Sequence, residues 1–195
     1  MFRIKNAVCL MLFAGLAMLL AGCSVTSKKD ESGKQKTVDI KSPFGSMHVN
    51  TDSDAKDTGF TVYPNSRPHR NGDKDNGGSV NMSMFGMNLA VATFDTDDPP
   101  QKLLDYYDAQ VKRYGSVLHC KVKGASGSHN WGREGGSATC EHGEATDVAE
   151  ALNGDGLELK AGTKDNQHMV VIKQQGQGTQ YVLLKIQHGK SGETI

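Results

Sequence analysis

The chain of 195 residues lacks every short motif that announces a reaction. It has no glycine loop of the nucleotide-binding type, no zincin helix, no nucleophile elbow, no redox pair of cysteines and no recognisable Ser-His-Asp pattern. Charge of one sign is also missing. Its 22 basic side chains are balanced by 22 acidic ones, with no sustained basic tract, which argues against nucleic acid or anionic lipid headgroups as the main partner. No long exact repeat occurs. The uncharged apolar run at residues 7–21 is too short and too poorly flanked for an ordinary membrane span. What the chain does have is glycine. Its 23 glycines point to many turns and long loops and away from a helical bundle.

The apolar run has a definite context. Arg3 and Lys5 precede it as a short positive segment, and Leu20-Ala21-Gly22-Cys23 closes it with small residues before a cysteine. This arrangement resembles a bacterial lipoprotein signal peptide, with residues 20–23 resembling the lipobox. The positive residues stay on the cytoplasmic side while the apolar segment enters the translocation machinery. The resemblance implies that residues 1–22 are removed and that Cys23 becomes the acylated first residue of the mature protein. Several acyl chains hold a protein on a bilayer far more firmly than one. Ser24, rather than aspartate, in second place implies the outer membrane if the cell is Gram-negative. Loss of residues 1–22 leaves 173 residues, with 20 basic and 22 acidic side chains. That length suffices for one domain with a genuine core.

Residues 23–37 read as the lipidated cysteine followed by a flexible polar tether, and 38–195 as a single domain. Within that domain, 38–40 and 47–49 form a possible hairpin around Pro43 and Gly45. Residues 60–63 read as a short strand and 67–78 as an exposed loop. Alternation at 80–84 and 89–94 predicts two strands around a turn at Gly86. The strongest local signal is Asp98-Pro99-Pro100-Gln101. Asp98 is placed to cap a helix, with Pro99 at its first position and Gln101 three residues after the cap. Leu103, Leu104, Tyr107, Val111 and Tyr114 then share one face, and Gly115 terminates, so a helix is expected over 99–114. Strands are expected at 117–122, 137–141, 157–161, 169–173 and 181–186, with a short helix at 146–152 ended by Gly154. The sum is an α+β fold, a mainly antiparallel sheet with one principal amphipathic helix packed on a face.

Cys9 leaves with the signal and Cys23 is the expected lipidation site, so Cys120 and Cys140 remain. The extracytoplasmic address makes them a disulfide candidate. Cys120, His129, Cys140 and His142 are also zinc-ligand types, but their spacing matches no tight zinc pattern. Met82, Met84 and Met87 offer thioethers that suit monovalent copper. Against that, Val80, Met82 and Met84 alternate like inward-facing strand residues, where methionine fills core gaps. Asp95, Asp97 and Asp98 have a calcium or acid–base look, though Asp98 already has a capping role. Trp131, the only tryptophan, lies in a glycine-rich loop, where it either forms an interaction surface or seals the core.

No catalytic residue, metal or cofactor is expected. The reading is a non-enzymatic, lipid-anchored envelope protein that acts as a structural or protein-interaction component. It meets the bilayer through acylated Cys23 and an envelope protein or further copies of itself through its domain. The alternatives are a periplasmic metal- or ligand-binding lipoprotein, drawing on Met82, Met84, His129 and His142, and an envelope enzyme without a sequential motif.

Overall fold

A computed structural model describes residues 23–29, 35–50, 55–70, 78–122, 137–140 and 147–189. Among these, ten strands form one sheet. They are β1 (Ser24–Lys29), β2 (Gln35–Ser42), β3 (Gly45–Asn50), β4 (Arg67–Pro68), β5 (Ser79–Met84), β6 (Met87–Thr96), β7 (Leu118–Lys121), β8 (Leu157–Thr163), β9 (Asn166–Gln175) and β10 (Gly178–His188). Their order across the sheet is β1-β2-β3-β5-β6-β10-β9-β8-β7, with the two-residue β4 paired to the end of β6. Every pairing is antiparallel. Helix α1 (Pro100–Val111), extended by a 3₁₀ turn over Lys112–Tyr114, covers one face, and a short helix α2 (Val148–Asn153) lies beside it. The α+β architecture expected from the pattern is the one observed.

The helix-side core follows from period-two alternation. Ala92, Leu183, Val170 and Leu159 are direct cross-strand partners on β6, β10, β9 and β8, and all are fully buried. Leu103, Leu104, Tyr107 and Val111 of α1 are buried in the same cluster, so the predicted helical stripe is the packed one. At one end of this face Tyr114 stacks flat on His168, with ring centroids 3.6 Å apart and planes 3° apart.

His168 is buried, and its Nδ1 has no hydrogen-bond partner among the described residues. Burial, reinforced by the positive charge of Lys185, depresses its pKa to about 4. The unfolded imidazole, at about 6.5, takes up its proton first. Stability is therefore full above about pH 6.5 and declines as the pH falls towards 4, by up to about 3 kcal/mol. Urea unfolding at a series of pH values checks this. The His168→Phe variant, which keeps a ring over Tyr114, should remove that part of the slope.

Several local expectations change. The segment read as a tether is largely strand: β1 pairs with β2 from Ser24↔Lys41 to Lys29↔Gln35, while residues 30–34 lie outside the described residues. Low hydrophobicity misled because β1 is an edge strand whose side chains are all exposed, so the backbone ladder rather than apolar burial holds it. Residues 60–63 form no strand. Side chains take the ladder's place: Thr61 N–H donates to Gln110 Oε1 at 3.0 Å, Tyr63 N–H to Tyr107 Oη at 3.0 Å, and Tyr107 donates back to Thr61 O at 3.2 Å. Residue 137 makes only an isolated bridge, to Thr163.

Helix α1 starts one residue later than expected, with Pro99 as its N-cap and no side-chain cap. Asp98 instead accepts from Tyr63 Oη at 2.9 Å and from Lys102 Nζ at 2.6 Å, and both bonds hold its carboxyl below the usual range. Gln101 bonds Asp105, one turn along the helix. The short helix, by contrast, is capped as its sequence allows, Asp147 accepting from Glu150 N–H.

Candidate functional site

In an antiparallel sheet, directly paired residues share a face, and the face away from α1 carries the most distinctive surface. Two adjacent rows run across six strands each. One is Val25, Ile40, Met47, Met82, Leu89 and Ile186. The other is Val38, Val49, Val80, Val91, Leu184 and Met169. Every member of both rows is apolar.

Burial along the rows is graded. Met169 and Ile186 are buried, the members on β3, β5 and β6 are half-buried, and at the sheet edge Ile40 is 38% and Val25 69% exposed. The opposite face of the β2–β3–β5 ribbon is polar. There His48 Nδ1 lies 2.6 Å from Asp39 Oδ1, which lowers the Asp39 pKa, and Asn81 bonds Asp57. The ribbon is therefore amphipathic, with an apolar side that α1 does not reach.

The expected disulfide is present. Cys120 and Cys140 are bonded with a Cα–Cα distance of 5.3 Å, and Cys120 is buried. It pairs with Glu158 on β8, next to Lys160, whose Nζ is buried 3.8 Å from Glu158 Oε1. Both sulfurs are thus committed to each other, and neither is a thiolate ligand for zinc. His129, Trp131 and His142 lie outside the described residues. Cys23 is an exposed free cysteine immediately before β1.

The methionines depart from the core expectation. Met82 and Met84 are half-buried on the side away from the helix and take no part in the helix-side core. Met47 faces Met82 across the ladder, and Met84 faces Met87. Period-two alternation correctly put Val80, Met82 and Met84 on one face, but it could not say which face the helix covers.

A second cluster, at the far end of β6, was only half visible in the sequence. His69 Nδ1 lies 2.9 Å from Asp95 Oδ2, and Gln180 Nε2 lies 2.9 Å from each ring nitrogen. Arg67 donates to Asp97 Oδ1 at 2.9 Å at the mouth of an open pocket of about 340 Å³, lined also by Thr96, Gln175 and Thr179. The exposed Asp97 holds the Arg67 guanidinium more firmly protonated than usual.

Asp95 and Asp97 were legible as acids. Their partners come from 26–30 residues upstream, through the two-residue pairing of β4 on β6, which carries no pattern long enough to read. An Asp–His pair suits proton transfer, and here its contacts tie residues 67–69 to the sheet. Among the described residues no three His, Cys, Asp or Glu side chains converge as a metal site.

No family model, curated protein or solved structure matches this chain. The functional reading therefore stands on the residues alone.

Proposed function

We propose that the chain is a lipid-anchored envelope protein with a non-catalytic, structural or protein-interaction role. The observation that carries this reading is the pair of apolar rows on the side away from the helix, one running out to Val38 on β2 and the other to Val25 on edge strand β1. Burying apolar surface of this kind drives association, and contiguous exposed apolar patches mark interaction sites. Anchoring is supported by the resemblance of residues 20–23 to a lipobox and by the exposure of Cys23, which acylation requires. Ser24 favours the outer membrane in a Gram-negative cell.

The test uses the full chain expressed in a bacterium. Intact mass should show loss of residues 1–22 and acyl mass on Cys23, and the Cys23→Ser variant should leave the chain unacylated. A photo-crosslinking residue at Met82, on the apolar side, should give a discrete adduct in native membranes. The same residue at Ser83, exposed on the polar side, should give none. The adduct mass then tells a second copy from a different envelope protein. Equal labelling from both positions would sink the interaction role.

A soft-metal-binding lipoprotein is the second reading, favoured by the Met47–Met82 and Met84–Met87 pairs on one face. Stoichiometric copper in the native mass of the same sample would put it first.

A further inference from the structure

Four separate parts of the chain meet at one end of the sheet. Ser24 pairs with Lys41 and Ser42 with Gly45, so Cys23 lies level with the turn at Pro43 and Phe44. Gly45 pairs with Met84, which brings the β5–β6 turn at Phe85 and Gly86 alongside. Phe85 N–H donates to Phe44 O at 3.4 Å, and the two rings sit 6.2 Å apart between centroids. Gly189, just past the end of β10, bonds Gly86 and completes this end.

The two phenylalanines are the feature that the fold does not use. Phe44 is 66% and Phe85 80% exposed. Phe85 also sits at a φ of +51°, a left-handed conformation that bulky residues seldom adopt. Strain spent on presenting an aromatic ring to solvent brings no return within the fold. Half-buried Met84 and Met87 flank the pair, and exposed Lys41 stands beside it.

We propose that this end of the sheet seats in the bilayer interface next to acylated Cys23, with Phe44 and Phe85 inserted among the lipids. This rests on the lipid-anchored reading above. The occupant is lipid because the anchor and the rings cannot be separated. Ser24 is already in the β1–β2 ladder, so no slack chain lies between Cys23 and the domain. Phe85 is within about three strand spacings of Cys23, roughly 15 Å. An acyl group drawn into the membrane therefore brings both turns to its surface.

Acyl chains and an apolar protein contact are complementary signals, since a single chain binds only reversibly. Insertion of rings also suits a chain without a basic tract. The ten residues of β6 place the Arg67–Asp97 pocket about 30 Å away, facing out from the membrane.

The test reads depth. Phe44→Cys, Phe85→Cys and, as a far-end control, Gln177→Cys are each introduced into the full chain, purified as the processed lipoprotein and carried into phosphatidylethanolamine–phosphatidylglycerol vesicles. With Cys23 acylated and Cys120 bonded to Cys140, the introduced thiol is the one site for a nitroxide label. Paramagnetic resonance then compares access by oxygen, which partitions into lipid, with access by a water-soluble nickel chelate.

Labels at 44 and 85 should favour oxygen, and the label at 177 should favour nickel, whatever the phosphatidylglycerol content. If the acyl mass is present but 44 and 85 behave like 177, the seating is overturned and the anchor stands. If they are shielded from both reagents, protein covers this end and a lipid occupant is overturned. A second label, on Cys23, means that the anchor reading fails and the seating fails with it.

Discussion

Removing the Cys120–Cys140 bond should lower stability by about 3 kcal/mol. The bond closes a segment of 20 residues, and the chain-entropy estimate for a loop of that size is about 3 kcal/mol. The origin is mostly in the unfolded chain, which gains freedom when the cross-link is cut. The folded side adds to it, because Cys120 is buried beside Glu158, Lys160 and the apolar rows. The Cys120→Ala/Cys140→Ala double variant should show a lower urea midpoint, and adding reductant to the parent should produce much the same shift. The double variant itself should not respond to reductant. An unchanged parent midpoint under full reduction would show that the bond is not a stability element.

Tyr107→Ala should cost more, about 4 kcal/mol, and Tyr107→Phe only about 1 kcal/mol. The two numbers separate two roles of one side chain. The ring is fully buried, packed edge-on against Phe60 and Tyr106 and tilted on Tyr181, so truncation opens a large cavity. The hydroxyl receives Tyr63 N–H and donates to Thr61 O, and burial raises its pKa, which keeps the donating proton in place. Tyr181 Oη also receives Tyr63 N–H, at 3.2 Å, so the phenylalanine variant leaves that amide a partner. Urea unfolding measures both costs. Hydrogen exchange should show faster exchange at residue 63, which loses one of its two acceptors, in the phenylalanine variant while the sheet keeps its protection. Equal losses from the two substitutions would contradict this division.

Legibility in the sequence followed the kind of interaction that holds each part. The helix over Pro100–Val111 was readable because its stripe, Leu103, Leu104, Tyr107 and Val111, is written at helical spacing and buried as written. The last three strands were readable for the same reason, with Leu157, Val170 and Leu183 alternating inward. Asp98 was misassigned because a residue of capping type before a proline has a local use and a distant one. Tyr63, 35 residues away, decided for the distant use, with Lys102 one turn along the helix as a second partner. Strand β1 was missed because its Ser, Thr and Lys side chains bury nothing, so no periodic signal reports a backbone ladder.

The candidate sites divide in the same way. Cys120 and Cys140 were identifiable as disulfide partners, since thiol chemistry belongs to the side chain. That Cys23 shares one end of the sheet with the Phe44 and Phe85 turns was not, because sheet order β1-β2-β3-β5 brings to that end residues up to 62 positions apart. The amino-acid sequence by itself determined the fold class, the principal helix, the disulfide partners and the absence of a familiar catalytic motif, all of which rest on residue type and short-range period. Only the tertiary structure decided which sheet face the helix covers, how far the apolar rows extend and which turns share an end. Alternation sorts side chains into two faces, but strand order and register alone give each face a neighbour.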